Sequence, residues 1–198
     1  MFKLLCPAPM INIQLIERFK RVKLFRRKIL QKKISFDFPI RLNIEPTNYC
    51  NLSCSMCPRE LNRPFGYMEF NLFKKIIDES ILYGKRLIIT LTKDGEPLLH
   101  PELPQMIKYA KDKKAAYKIN FYTNGILLTE TKSDEIIKSG LDTMHISIDA
   151  FTKETYKKVK NSEKLETVEG NVKRLVALKK KLQSKTPLVV VKIIQTPD

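Results

Sequence analysis

From Pro39 onward the sequence alternates short apolar runs with amphipathic stretches, and this alternation restricts the possible folds more than any other feature of the chain. Strand-like runs fall at Ile40 to Glu45, Leu87 to Thr92, Lys118 to Thr123, Thr143 to Asp149 and Leu188 to Ile194. Between them, apolar residues recur with a helical period at about 71 to 83, 102 to 115, 130 to 139, 152 to 160 and 165 to 183. Asn71 is placed to cap the first of these helices, Gly84 to end it, and Pro101 to occupy the first turn of the second. Repeated βα units require crossover connections, so the sequence predicts an α/β fold with a parallel sheet, either open or curling into a barrel.

Two features of the strands point toward a site. Read with period 2, Arg41, Asn43 and Glu45 share one face of the first strand, Thr90 and Thr92 one face of the second, and His145, Ser147 and Asp149 one face of the fourth. A parallel sheet is normally apolar on both faces, so a consistently polar one predicts a lined cavity. The unusual sequences also lie at strand C-terminal ends: TNYCNLSCSMCP after the first strand, KDGEPLLHP after the second, TNG after the third and SIDA after the fourth. That is the edge on which α/β folds assemble their sites.

The charge is uneven. Of a net +16, residues 1 to 36 carry +9, with ten cations against Glu17 alone. Within that segment Leu15, Phe19, Val22, Phe25 and Ile29 form an apolar stripe interrupted by Arg26 and Lys33, which predicts a basic, imperfectly amphipathic N-terminal helix separate from a body spanning 37 to 198. A helix packed across the end of the domain is the simplest reading; contact with a membrane surface or nucleic acid is the alternative. No apolar run reaches the length of a membrane span, and the first twenty residues lack signal-peptide order, which predicts a cytoplasmic address.

Cys50, Cys54 and Cys57 form a CX3CX2C run, with Cys6 remote from it. Soft thiolates at this spacing suit zinc or an iron–sulfur cluster. Closed structural zinc needs a fourth ligand, for which Cys6, His100 and His145 are poorly placed. Three thiolates without an obvious fourth describe a 4Fe-4S cluster with one iron left open. His145 reads as a hydrogen-bonded strand residue, with a proton relay or substrate ligand as the alternative.

CNLSCSMC, GEP at 95 to 97, TNG at 123 to 125 and SIDA at 147 to 150 together resemble the radical S-adenosylmethionine (radical SAM) superfamily over about residues 38 to 198. The phrases IEPTNYCNLSCSMCPRE, GEPLLHPEL and HISIDAFTKETY are most similar to members that carry a C-terminal SPASM domain. The resemblance implies a partial (β/α) barrel in which Cys50, Cys54 and Cys57 bind three irons and S-adenosylmethionine chelates the fourth. It implies that Gly95, Glu96 and Pro97 hold the methionyl amine, with Glu96 as an acceptor, and that Ser147 and Asp149 reach the ribose or the carboxylate. Asn124 either lines the same mouth or serves the turn. Two residues depart from the pattern: Met56 stands where an aromatic is common, and Asp94 replaces the first glycine of the GGEP form.

The implied chemistry is reductive cleavage of S-adenosylmethionine to a 5′-deoxyadenosyl radical that abstracts hydrogen from a peptide or small-metabolite substrate, with flavodoxin or ferredoxin as the electron donor. Alternatives are a tRNA-modifying enzyme of the same superfamily and a zinc-stabilised nucleic-acid-binding module. The low aromatic count argues against nucleic acid. Five strands where the superfamily core has six, and no cysteine beyond Cys57, predict that the sixth strand and any auxiliary-cluster domain are absent from this chain.

Overall fold

The computed structural model describes residues 39–59, 62–82 and 87–194. The predicted N-terminal helix and its boundary, Gly84 and Cys6 lie outside them. Five strands, β1 (Arg41–Asn43), β2 (Leu87–Thr90), β3 (Ala116–Thr123), β4 (Thr143–Ser147) and β5 (Leu188–Lys192), form one sheet in the order β1-β2-β3-β4-β5. Every pair is parallel. Among the described residues the sheet is open, with β1 and β5 at its edges.

Five helices supply the crossovers: α1 (Phe70–Leu82), α2 (Leu103–Asp112), α3 (Glu130–Lys138), α4 (Lys153–Lys160) and α5 (Leu165–Lys181). Consecutive strand order with crossovers of one hand places the helices on one side of the sheet. Burial agrees. Ile89, Leu91, Ile119, Phe121, Met144 and Ile146 are fully buried beside Phe73, Ile77, Met106, Ile107, Ile136 and Leu175 from the helices. The opposite, polar face holds half-exposed Thr92, Lys118, Tyr122, His145 and Ser147, together with the nearly buried Thr90 and Asn120.

Local chemistry explains the boundaries. Thr129 and Thr152 cap α3 and α4, their hydroxyls accepting the Lys132 and Thr155 N–H groups at 3.2 Å each. Asn161, in the left-handed region at φ 51°, ends α4. Two expected helix signals are displaced. α1 starts one residue before Asn71, because Phe70 packs against Phe73 and Tyr109 with ring centroids 6.4 and 6.0 Å away; the Phe73 N–H bonds to the Glu69 carbonyl. Pro101 lies in a connection rather than in α2, whose first turn holds Pro104, since Pro97–Leu99 form their own short 3-10 turn. Strand β4 ends at Ser147, and Asp149 adopts φ 57° just beyond it.

Candidate functional site at the carboxyl edge of the sheet

The cysteine run follows β1 and is held on either side of Cys50 and of Cys54. At its start, the Tyr49 carbonyl accepts the Glu96 N–H at 2.8 Å, and Asn51 accepts from the Asn124 amide at 2.7 Å. Further on, the Ser55 N–H and hydroxyl both donate to the Val159 carbonyl of α4, at 3.0 and 3.2 Å, and Asn161 donates to the Ser53 hydroxyl. Beyond Ser55 the chain is open, with Met56 and Cys57 exposed; Cys50 and Cys54, among the anchored residues, are half-buried, and none of the three thiols is in a disulfide. Burial pushes the Cys50 and Cys54 thiols up, so metal binding there must release protons. Among the described residues no three His, Cys, Asp or Glu groups gather closely enough to hold a metal ion, so the thiols share a loop but not yet a focus. The donor set itself, three free thiols on one short loop anchored around Cys50 and Cys54, fits an iron–sulfur cluster.

The GEP turn packs directly against this loop. A Cβ on Gly95 would lie 2.1 Å from the Thr47 carbonyl oxygen and 2.7 Å from that of Tyr49, so only glycine permits the approach. Glu96 is 2% exposed, and its carboxylate points inward. It accepts from the Leu98 N–H (3.1 Å), the Thr123 hydroxyl (2.7 Å) and the Asn124 N–H (2.8 Å). The carboxylate that the resemblance sets against the methionyl amine thus also accepts from three protein donors, and it straps the end of β2 to the end of β3. Burial outweighs these bonds and pushes its pKa up to about 7. Pro97 stiffens the turn and is buried.

Asn124 serves the turn that was one of its two expected roles. Its side-chain oxygen accepts the Ile126 N–H at 3.0 Å, forming the turn, while its amide reaches Asn51 in the cysteine run. Asp149, expected to face a ligand, is instead 4% exposed and paired with Lys160 at 2.5 Å. Its other oxygen accepts the Ile194 N–H at 3.2 Å. The reason is electrostatic: a buried ammonium needs a carboxylate, and Lys160 is itself buried. Ser147 remains half-exposed on the open face, opposite Lys192 of β5. His100, by contrast, is structural: it bonds the Met68 carbonyl through Nε2 and accepts the Glu102 N–H at Nδ1.

Three groups went unread in the sequence. Lys160 had a signal, since it lies in phase with Tyr156 and Val159 on the buried face of α4, and a lysine on an apolar stripe requires a partner. The Arg63 fork on Glu45 (2.7 and 2.8 Å) and Asp94 (2.9 Å) had none, because loop residues 18 and 31 positions apart come together only in the fold. That fork gives Asp94, the departure from GGEP, a partner, and the Asp94 N–H also donates to Glu45. The third is the stack of Tyr122 on His145, with ring centroids 4.5 Å apart and 16° between the planes. His145 Nδ1 is buried without a partner, contrary to the hydrogen-bonded role expected.

These features define an α/β protein with a thiol-bearing loop and a glycine-dependent turn converging on one sheet edge. Residues 44–193 match the Radical SAM superfamily, and the chain belongs to it. A probable GTP 3',8-cyclase of Methanococcus maripaludis is 35% identical over 138 residues, covering 69% of this chain and 44% of the relative. The structure of SuiB from Streptococcus suis bound to its precursor peptide SuiA superposes with a TM-score of 0.65 at 16% identity, covering 100% of this chain and 42% of SuiB. BtrN in complex with AdoMet and 2-DOIA gives a TM-score of 0.53 at 21% identity, covering 65% of this chain and 55% of BtrN. The chain thus spans less than half the length of the curated relative. Enzymes of this family use a 4Fe-4S cluster and S-adenosylmethionine. Among the described residues no helix is long and apolar enough to cross a membrane.

Proposed function

We propose that Cys50, Cys54 and Cys57 hold three irons of a 4Fe-4S cluster, and that the backbone around Gly95, Glu96 and Pro97, with Asn124 and Ser147, shapes the adjoining S-adenosylmethionine site. When bound, the pair supplies a one-electron reductive cleavage whose 5′-deoxyadenosyl radical abstracts hydrogen from a peptide or small metabolite. One observation carries this reading: the GEP turn lies in backbone contact with the residues immediately before Cys50, through the Glu96 to Tyr49 bond and the Gly95 approach. The protein contributes position. Glu96 fixes the turn from below through Thr123 and Asn124, and the carbonyl of Val159 restrains the loop beside Cys54. Asp149 acts through Lys160 as internal support.

The relatives act on a nucleotide, a precursor peptide and a small molecule according to their names, so a peptide or small-metabolite substrate is the range this reading adopts, with a flavodoxin or ferredoxin as electron donor. Anaerobic reconstitution with iron and sulfide tests the assignment. A chain that gains visible sulfur-to-iron absorption and releases 5′-deoxyadenosine under reductant, with both lost in Cys54→Ala, supports it. Stoichiometric zinc without cleavage of S-adenosylmethionine refutes it.

A further inference from the structure

We propose that Cys54 and Cys57 form a reversible dithiol–disulfide pair that closes when the loop holds no iron and so gates loading of the site. The inference rests on the reading above, in which the same thiols are iron ligands. The two residues are the ends of a hydrogen-bonded turn: the Cys57 N–H donates to the Cys54 carbonyl at 3.2 Å, with Ser55 and Met56 between them. Such a turn brings its end Cα atoms within about 7 Å, and a disulfide spans Cα separations of about 4.4–6.8 Å. The turn is also braced, because the Ser55 N–H and hydroxyl both donate to the Val159 carbonyl of α4. Closing the link then asks for side-chain rotation on a backbone already in place.

Cys50 is set apart from this pair. It lines a cavity with Arg59, Asn161 and Lys164, and the Leu52 N–H bonds to its sulfur. Between it and the turn, Asn51 accepts from Asn124 and Ser53 accepts from Asn161, which pins the connecting residues to other parts of the fold. Exposure divides the roles within the pair: Cys57 is exposed to an oxidant, and Cys54 is half-buried behind it. With oxidised glutathione as the oxidant, the Cys57 thiolate attacks one sulfur of its disulfide, forming a mixed disulfide and releasing one glutathione thiolate. Cys54 then gives up its proton and attacks the Cys57 sulfur, releasing the second. Two protein thiols are oxidised to one disulfide, and one glutathione disulfide is reduced to two thiols. The closed pair withholds two of the three ligands and shields both sulfurs from further oxidation.

The test uses the full chain carrying Cys6→Ser, reduced and treated with a chelator, so that the three thiols of the loop are the only ones present. Oxidised glutathione is added, and the protein is followed by intact mass and by alkylation of its free thiols. The expected result is loss of two of the three thiols, a mass lower by two hydrogens with no glutathione retained, and the alkyl group on Cys50. Cys50→Ser should still form the link, and Cys57→Ser should form none. The closed chain should take up no iron until dithiothreitol reopens it. A link through Cys50, a glutathione adduct that never resolves, or iron uptake that oxidation leaves unchanged overturns the proposal. If the reduced chain itself takes up no iron, the cofactor reading fails, while the thiol map, read without iron, still decides whether the pair closes.

Discussion

Replacing Glu96 by Gln should reverse its effect on stability between acid and mild alkali. The carboxyl is buried, and its pKa stands at about 7 against an ordinary 4.5. Because the folded value lies above the unfolded one, this group favours folding most below pH 4.5, and the advantage is lost as pH climbs toward 7. Between pH 5 and pH 8 the wild type should lose about 2.5 kcal/mol from this residue alone. Glutamine carries no such term. It can keep the Leu98 and Thr123 bonds on its oxygen, but its amide nitrogen then faces the Asn124 N–H, donor against donor, which costs about 1–3 kcal/mol at any pH. The variant should therefore be less stable than wild type at pH 5 and equal to it or better at pH 8. Urea unfolding of both proteins under reductant at the two pH values checks this, since other titrating groups cancel in the difference. A stability gap that does not change with pH, or that widens at pH 8, would refute the argument.

Lys160→Met strands Asp149 as a buried, uncompensated carboxylate and should cost about 3–5 kcal/mol, with much of the loss recovered by adding Asp149→Asn; denaturant midpoints of the single and double variants measure it. Gly95→Ala has no room for its methyl against two backbone carbonyls, so the turn must move, with a loss of about 4 kcal/mol or more in the same assay and loss of S-adenosylmethionine binding by equilibrium dialysis. An unchanged Gly95→Ala protein would show that the turn and the cysteine loop are not in contact.

The sequence was most legible where periodicity decides. All five strands and five helices were readable, because apolar residues in register with a 2.0 or 3.6 period have few other ways to be buried. Element ends were less so: Phe70 extended α1 past the expected cap because two aromatic neighbours reward its burial. The need for glycine at Gly95 was legible as a close backbone approach, but the approach seen is to the Thr47 and Tyr49 carbonyls, which the sequence did not name. Side-chain direction was not legible. Glu96 and Asp149 both sit where a ligand was expected, yet both turn inward. Their partners, Thr123 and Lys160, lie 27 and 11 residues away and announce themselves only once the strands are stacked.

The restraint of the cysteine loop around Cys50 and Cys54 sets how cofactor loading relates to folding. The anchors at Tyr49, Asn51, Ser53 and Ser55 bond to parts of the fold that do not depend on the thiols, while the stretch through Cys57 stays accessible. Gathering the three sulfurs is then a local rearrangement of a few residues on a sheet already formed. Loading would proceed at the pace of loop motion rather than of global refolding, and amide exchange in β2 and β3 would be much the same before and after iron is inserted.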